Sequence, residues 1–153
     1  GQKDVQNSFC GKLNLFRRAG MSNKNTNKRI LCIEDEAEMI DLIRLILSRR
    51  GYEVQGANGG KEGIELIRQE KPDLVLLDLM MPDMDGWEVY QQMKANEATR
   101  DIPVIVVTAK AQSIDKVLGL HIAKVDDYIA KPFSPQELLT SVEEVLGRKK
   151  SKK

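Results

Sequence analysis

The chain has 153 residues with a formal net charge of +1, 41% hydrophobic and 31% charged residues, the proportions of one globular domain with a sizeable core. The charge is unevenly spread: Lys3, Lys12, Arg17 and Arg18 face only Asp4 in the first 20 residues, the last six carry five cations, and residues 21–147 hold a net −7. An acidic body argues against nucleic acid as the main partner, which would need a cationic face, and no stretch of about 18 apolar residues exists to span a membrane.

Residues 1–20 read as foreign to the rest of the chain, with Met21 as the natural start, and residues 1–28 as a whole as a flexible leader outside the folded body. From Arg29 onward two periodicities alternate. Ile30–Ile33 is a short apolar strand ending in acids, and Ala37–Arg50 follows with Met39, Ile40, Ile43, Ile46 and Leu47 at helical spacing until Gly51. Glu53–Ala57 is a weak strand, and Lys61–Glu70 a helix that Pro72 keeps from continuing. Leu74–Leu77 is a fully apolar strand, followed by a helix over Gly86–Glu97. Ile102–Val107 is a fourth strand, Ser113–Ala123 a helix with Ile114, Val117, Leu118 and Leu120 inward, and Tyr128–Ala130 a short fifth strand. Ser134–Leu146 closes the body as a helix, with Ser134 and Glu137 spaced as a capping box and Pro135 in the first turn. Residues 148–153 read as a solvated basic tail.

Strands apolar throughout must be covered on both faces, and strands alternating with helices give a doubly wound parallel sheet of five strands and five helices. Two cysteines, Cys10 and Cys32, suggest neither a disulfide framework nor a metal knuckle. Cys32 lies in an apolar run and reads as a small buried hydrophobe, in keeping with a reducing, cytoplasmic setting.

In such sheets the active crevice lies beyond the carboxyl ends of the strands. Glu34, Asp35 and Glu36 follow the first strand, Asp78 the third, Thr108 the fourth and Lys131 the fifth. Clustered carboxylates repel one another and want a cation, and oxygen ligands at an open crevice suit Mg²⁺. A carboxylate beside such an ion can attack phosphorus, with the ion and an ammonium offsetting charge on the transferring group. Glu36 and Glu38 read instead as acids favoured by a helix N-terminus. Gly59-Gly60-Lys61 lacks the Gly and Ser or Thr that a phosphate loop requires at positions 55 and 62, and Asp83-Met84-Asp85-Gly86 lacks the acids of a Ca²⁺ loop. His121, the single histidine, reads as a surface or packing residue, and Trp87 as a packing residue.

Four stretches then carry a family resemblance: Ile30-Leu-Cys-Ile-Glu-Asp35-Glu, Asp73-Leu-Val-Leu-Leu-Asp78-Leu-Met-Met-Pro82-Asp-Met-Asp85-Gly86, Val104-Ile-Val-Val-Thr108-Ala-Lys110, and Asp126-Asp-Tyr128-Ile-Ala-Lys131-Pro132-Phe133. Over about residues 29–147 the chain resembles the bacterial response-regulator receiver domains of two-component signalling, of the stand-alone, chemotaxis-regulator-like kind. The resemblance implies a flavodoxin-like sheet of order 2-1-3-4-5. It implies that Asp78 accepts a phosphoryl group from a sensor histidine kinase or histidine phosphotransfer protein. Asp35 would ligate Mg²⁺ directly, Glu34 through water, and Asp78 and the backbone carbonyl of Met80 would complete the set. Lys131 would pair with the phosphoryl group and Thr108 hydrogen-bond to it. Tyr128 would be the aromatic switch that follows Thr108 inward, and the bond before Pro132 would be cis. The output face would then change its affinity for an unidentified partner or a second copy of the chain. Such a domain catalyses its own phosphoryl transfer and dephosphorylation without turning over external substrates.

Two departures stand out. Glu34 occupies a position where Asp is commoner, its extra methylene shifting the carboxylate outward by roughly one bond length. The stretch from Gly119 to Val125 runs one residue longer than usual and lacks a customary glycine. Two other readings stay open on the residues alone: a scaffold receiver that does not use phosphorylation, and a phosphatase with an Asp nucleophile. The latter class wants a second acid two residues after the nucleophile, where this chain has Met80.

Overall fold

The computed structural model describes residues 28–109 and 125–151. In chain order the elements are β1 (Arg29–Ile33), α1 (Ala37–Ser48), β2 (Glu53–Ala57), α2 (Gly60–Glu70), β3 (Leu74–Leu77), α3 (Gly86–Ala95), β4 (Val104–Thr108), β5 (Asp127–Ala130) and α4 (Pro135–Ser151). The strands form one sheet of order β2-β1-β3-β4-β5, with every neighbouring pair parallel, as expected. Four of the five expected helices fall among the described residues; the helix expected over 113–123, with His121, lies outside them.

Successive side chains of a strand point to opposite faces, so each all-apolar strand feeds two cores. Ile30 and Cys32 of β1, Leu74 and Leu76 of β3, and Ile105 and Val107 of β4 meet α1 and α4 through Ile40, Ile43, Leu47, Leu138 and Val142. Leu31, Ile33, Val75, Leu77, Val104 and Val106 meet α2 and α3 on the other face through Leu66, Ile67, Val89, Tyr90 and Met93. Trp87 packs on this second core and sits edge-on to Tyr90, with ring centroids 5.8 Å apart.

Cys32 is the buried hydrophobe expected of it: burial first, then the charge of Glu34, pushes its thiol up to about 12. The thiolate is the reactive form. Iodoacetamide at pH 8 should therefore leave Cys32 unlabelled in the folded chain and label it fully in denaturant, as read by peptide mass mapping.

Some ends differ from the sequence expectation for definable reasons. β4 starts at Val104 rather than Ile102 because Pro103 has no N–H for the ladder; its carbonyl instead accepts from Val75 N at 3.0 Å. The strand ends one residue later, which makes Thr108 its last member. α1 stops at Ser48 and α3 at Ala95. Thr99 Oγ1 donates to Met93 O at 2.7 Å, which takes up a carbonyl of the last turn of α3. At α4 the capping box forms in both directions: Glu137 N donates to Ser134 Oγ at 3.1 Å, and Ser134 N to Glu137 Oε1 at 2.8 Å. This helix does not stop at Leu146. Its backbone stays helical through Ser151, so the expected solvated tail begins as helix.

Candidate functional site

The sheet order sets the site. β1, β3, β4 and β5 are adjacent, so the residues at their ends are adjacent as well. Glu34 N donates to Ala57 O and Asp78 N to Ile33 O, each at 3.0 Å, which carries the ladder one step past the ends of β1 and β3. Lys131 N donates to Thr108 O at 2.9 Å and does the same past β5.

These side chains converge. Carboxylate oxygens of Glu34, Asp35 and Asp78 all lie within 4.8 Å of one another, with Glu34 and Asp78 buried and Asp35 exposed. Lys131 Nζ donates to Glu34 Oε1 at 2.8 Å and stands 3.8 Å from Asp78 Oδ2. The longer arm of Glu34 thus reaches the ammonium more closely than Asp78 does. The backbone N–H of Met80 donates to Asp78 Oδ1 at 3.2 Å. Met80 is itself exposed, and the loop it begins closes through Gly86 N to Leu79 O at 3.1 Å. Any side chain at Gly86 would run into the carbonyl oxygen of Asp78.

The charges respond to this crowding. Burial pushes the Asp78 carboxyl above the usual carboxylate range; Lys131 and the Met80 N–H counter it, and Asp35 adds to it. Burial also raises Glu34, against the hydrogen bond from Lys131 and with the charge of Asp78. Burial pulls Lys131 down, but its bond to Glu34 and the charges of Asp78, Glu34 and Glu36 prevail, and its net shift is upward. Three acids against one ammonium leave the pocket short of positive charge. An all-oxygen donor set with one open, exposed member fits a hard divalent cation, so Glu34, Asp35 and Asp78 could hold one.

Thr108 is buried at the edge of this pocket, and its Oγ1 has no partner within hydrogen-bond geometry, although it lies close enough to Asp78 to favour the ionised carboxylate. Tyr128, two strand positions before Ala130, is 38% exposed. The Lys131–Pro132 peptide is cis, as the resemblance implies. Glu36 and Glu38 lie at the start of α1, where Glu36 forms no side-chain cap. The site residues expected from the sequence therefore sit along one edge of the sheet. Asp83, read from the sequence only as part of a rejected Ca²⁺ loop, sits in the loop after Asp78 and bonds to the start of α2.

Known proteins share this architecture. Residues 30–143 match the response regulator receiver domain family. The chain is 42% identical over 122 residues to the alkaline phosphatase synthesis transcriptional regulatory protein PhoP of Bacillus subtilis (strain 168), covering 80% of this chain and 50% of that protein. The chain thus spans about half the length of this curated relative. Among solved structures it resembles a CheY-like response regulator receiver domain protein from Methanospirillum hungatei JF-1, with a TM-score of 0.74, 33% identity, and 82% and 98% of the two chains covered. It is equally similar, at 30% identity, TM-score 0.74, and 82% and 94% coverage, to the signal receiver domain of a LuxO repressor protein from Vibrio parahaemolyticus. With residues 30–143, three quarters of its length, matched, the chain belongs to the response regulator receiver domain family.

Proposed function

We propose that this chain is a phosphorylation-dependent switch whose phosphoryl acceptor is Asp78, with residues 29–147 forming the receiver unit. The observation that carries the reading is the buried Asp78 carboxylate standing between an ammonium and two further carboxylates at the carboxyl end of the sheet. An Asp78 oxygen attacks the phosphorus of a phosphohistidine on a sensor histidine kinase or phosphotransfer protein. A new P–O bond forms, the P–N bond breaks, and the imidazole leaves with the electron pair. Glu34, Asp35 and Asp78, with the carbonyl of Met80, would hold Mg²⁺, which supplies positive charge opposite the phosphoryl oxygens.

The remaining steps belong to the chain's own groups. Lys131 lies near enough to Asp78 to pair with a phosphoryl oxygen on a short movement from Glu34. Thr108 has a buried hydroxyl to donate to another. Tyr128, partly in solvent in this resting form, takes the space that Thr108 leaves. The surface around β5 thereby changes its fit to an output partner or to a second copy of the chain, a two-state shift driven by differential binding. Receiver domains are signalling modules, so hydrolysis of the acyl phosphate resets the switch and is not turnover of an external substrate. No helix among the described residues is long and apolar enough to cross a membrane.

Incubation with acetyl phosphate and Mg²⁺ should add one phosphoryl mass to the intact chain, and a chelator should prevent it. A chain that gains no mass with Mg²⁺ present would favour a scaffold without phosphoryl chemistry.

A further inference from the structure

The Gly59-Gly60-Lys61 stretch fails as a phosphate loop, yet it does receive an anion, and the anion is the chain's own. Gly59 is the N-cap of α2 and offers no side-chain cap. Four N–H groups at a helix start need outside acceptors. Two of them are met by one carboxylate 23 and 22 residues away: Asp83 Oδ1 accepts from Gly60 N at 3.1 Å, and Asp83 Oδ2 from Lys61 N at 3.3 Å.

The two glycines make room for this contact. A Cβ on Gly59 would stand 2.8 Å from Asp83 Oδ2, and one on Gly60 would stand 2.7 Å from Met84 Cβ. These are closer than real Cβ atoms come, so a side chain at 59 would displace the exposed Asp83 carboxylate, and one at 60 would push on the loop at Met84. Asp83 is exposed, and solvent screens its attraction to the helix dipole. The two directed hydrogen bonds, more than charge, therefore hold the contact, and they also keep the Asp83 carboxyl below the usual range.

Asp83 lies on the loop between β3 and α3. One end of that loop is pinned at the site by Met80 N on Asp78 Oδ1. The other is pinned by Asp85, whose Oδ1 accepts from Trp87 N at 2.9 Å as the N-cap of α3. Between these two points Met81 is buried in the second core and Met84 packs on it, while Asp83 supplies the hydrogen bonds that reach α2.

We propose that Asp83 is a positioning residue: its carboxylate latches the loop to the N-terminus of α2 and so holds the Met80 backbone in place for the divalent cation. The latch rests on the cation site proposed at Glu34, Asp35 and Asp78. Coupling between sites is reciprocal. The latch therefore raises affinity for the cation, and the cation in turn protects the first amides of α2.

The test is a Mg²⁺ titration followed by the fluorescence of Trp87, the single tryptophan of the chain, with thermal unfolding in chelator measured alongside. Asp83→Ala should weaken Mg²⁺ binding about five-fold or more, and Asp83→Asn, which keeps one acceptor oxygen, should restore part of it. Gly59→Ala, which displaces the same carboxylate from the other side, should weaken binding in the wild type and change little further in the Asp83→Ala background. In wild type, Mg²⁺ should slow hydrogen exchange at Gly60 and Lys61, and in Asp83→Ala it should not. A helix cap with no positioning role would lower the unfolding temperature and leave Mg²⁺ affinity unchanged, and that result would overturn the latch alone. A wild-type chain that binds no Mg²⁺ would overturn both the latch and the cation site beneath it.

Discussion

Asp78→Asn is expected to take up no phosphoryl group under conditions that phosphorylate the wild type to completion. The amide is a poor nucleophile and a poorer partner for a divalent cation, while its shape is nearly that of the carboxylate. The rest of the site offers no substitute. Glu34 is buried and bonded to Lys131, and Asp35 is exposed to solvent. The fold should not suffer. Asp78 is a buried acid whose ionised form is disfavoured by burial, so neutralising it removes a destabilising term. In chelator the unfolding temperature of Asp78→Asn should equal or exceed that of the wild type. Intact mass and thermal scans on the same sample separate loss of chemistry from loss of structure; phosphorylated Asp78→Asn would move the acceptor to another residue.

Lys131→Ala should have the largest effect on stability. Its side chain is 12% exposed and that of Glu34 2%, with 2.8 Å between the charges. Removing one member of a buried pair typically costs about 3–5 kcal/mol because the other charge is left uncompensated. Here roughly 2 kcal/mol is expected, since Glu34 can answer by binding a proton. Phosphoryl uptake should fall with it, because the ammonium beside Asp78 is gone.

The same variant sharpens a pH dependence. Glu34 and Asp78 have folded-state values raised above their unfolded ones. Their contribution is therefore most favourable below the ordinary carboxylate range and is lost as pH rises through the raised values. Lys131 is also raised, but its contribution is lost only in alkali and does not enter that window. Without Lys131 the two acids move further up. In chelator, Lys131→Ala should lose stability more steeply than wild type as pH rises above the ordinary carboxylate range, and Mg²⁺ should restore more of it. Equal slopes in urea titrations across that rise would show that the ammonium does not compensate these acids.

Much of this was legible in the residues because the strands are buried on both faces. A run such as Leu74–Leu77 has no polar alternation, which forces a covered parallel sheet and fixes where its carboxyl edge must be. Asp35, Asp78, Thr108 and Lys131 each close a strand, so they could be grouped before any distance was known. What stayed hidden depends on reach across space. Nothing in the chain order says that the extra methylene of Glu34 brings its oxygen to Lys131. Asp83 looked like part of a failed Ca²⁺ loop, and Gly59-Gly60 like a failed phosphate loop, because their fit to each other spans 23 residues. The strand shift at Pro103 comes from a missing N–H that the apolar run disguised. The continuation of α4 beyond Leu146 was masked by the run of cations from Arg148, which read as a solvated tail.

The buried hydroxyl of Thr108 has a consequence for the proposed switch. It makes no hydrogen bond of good geometry, yet it lies near enough to Asp78 to favour that carboxylate. A phosphoryl group on Asp78 would bring charged oxygens within its reach, and a hydrogen bond to a charged group contributes about 1.5–3 kcal/mol. A donor already aimed at the acceptor side chain has little left to rearrange when such an oxygen arrives.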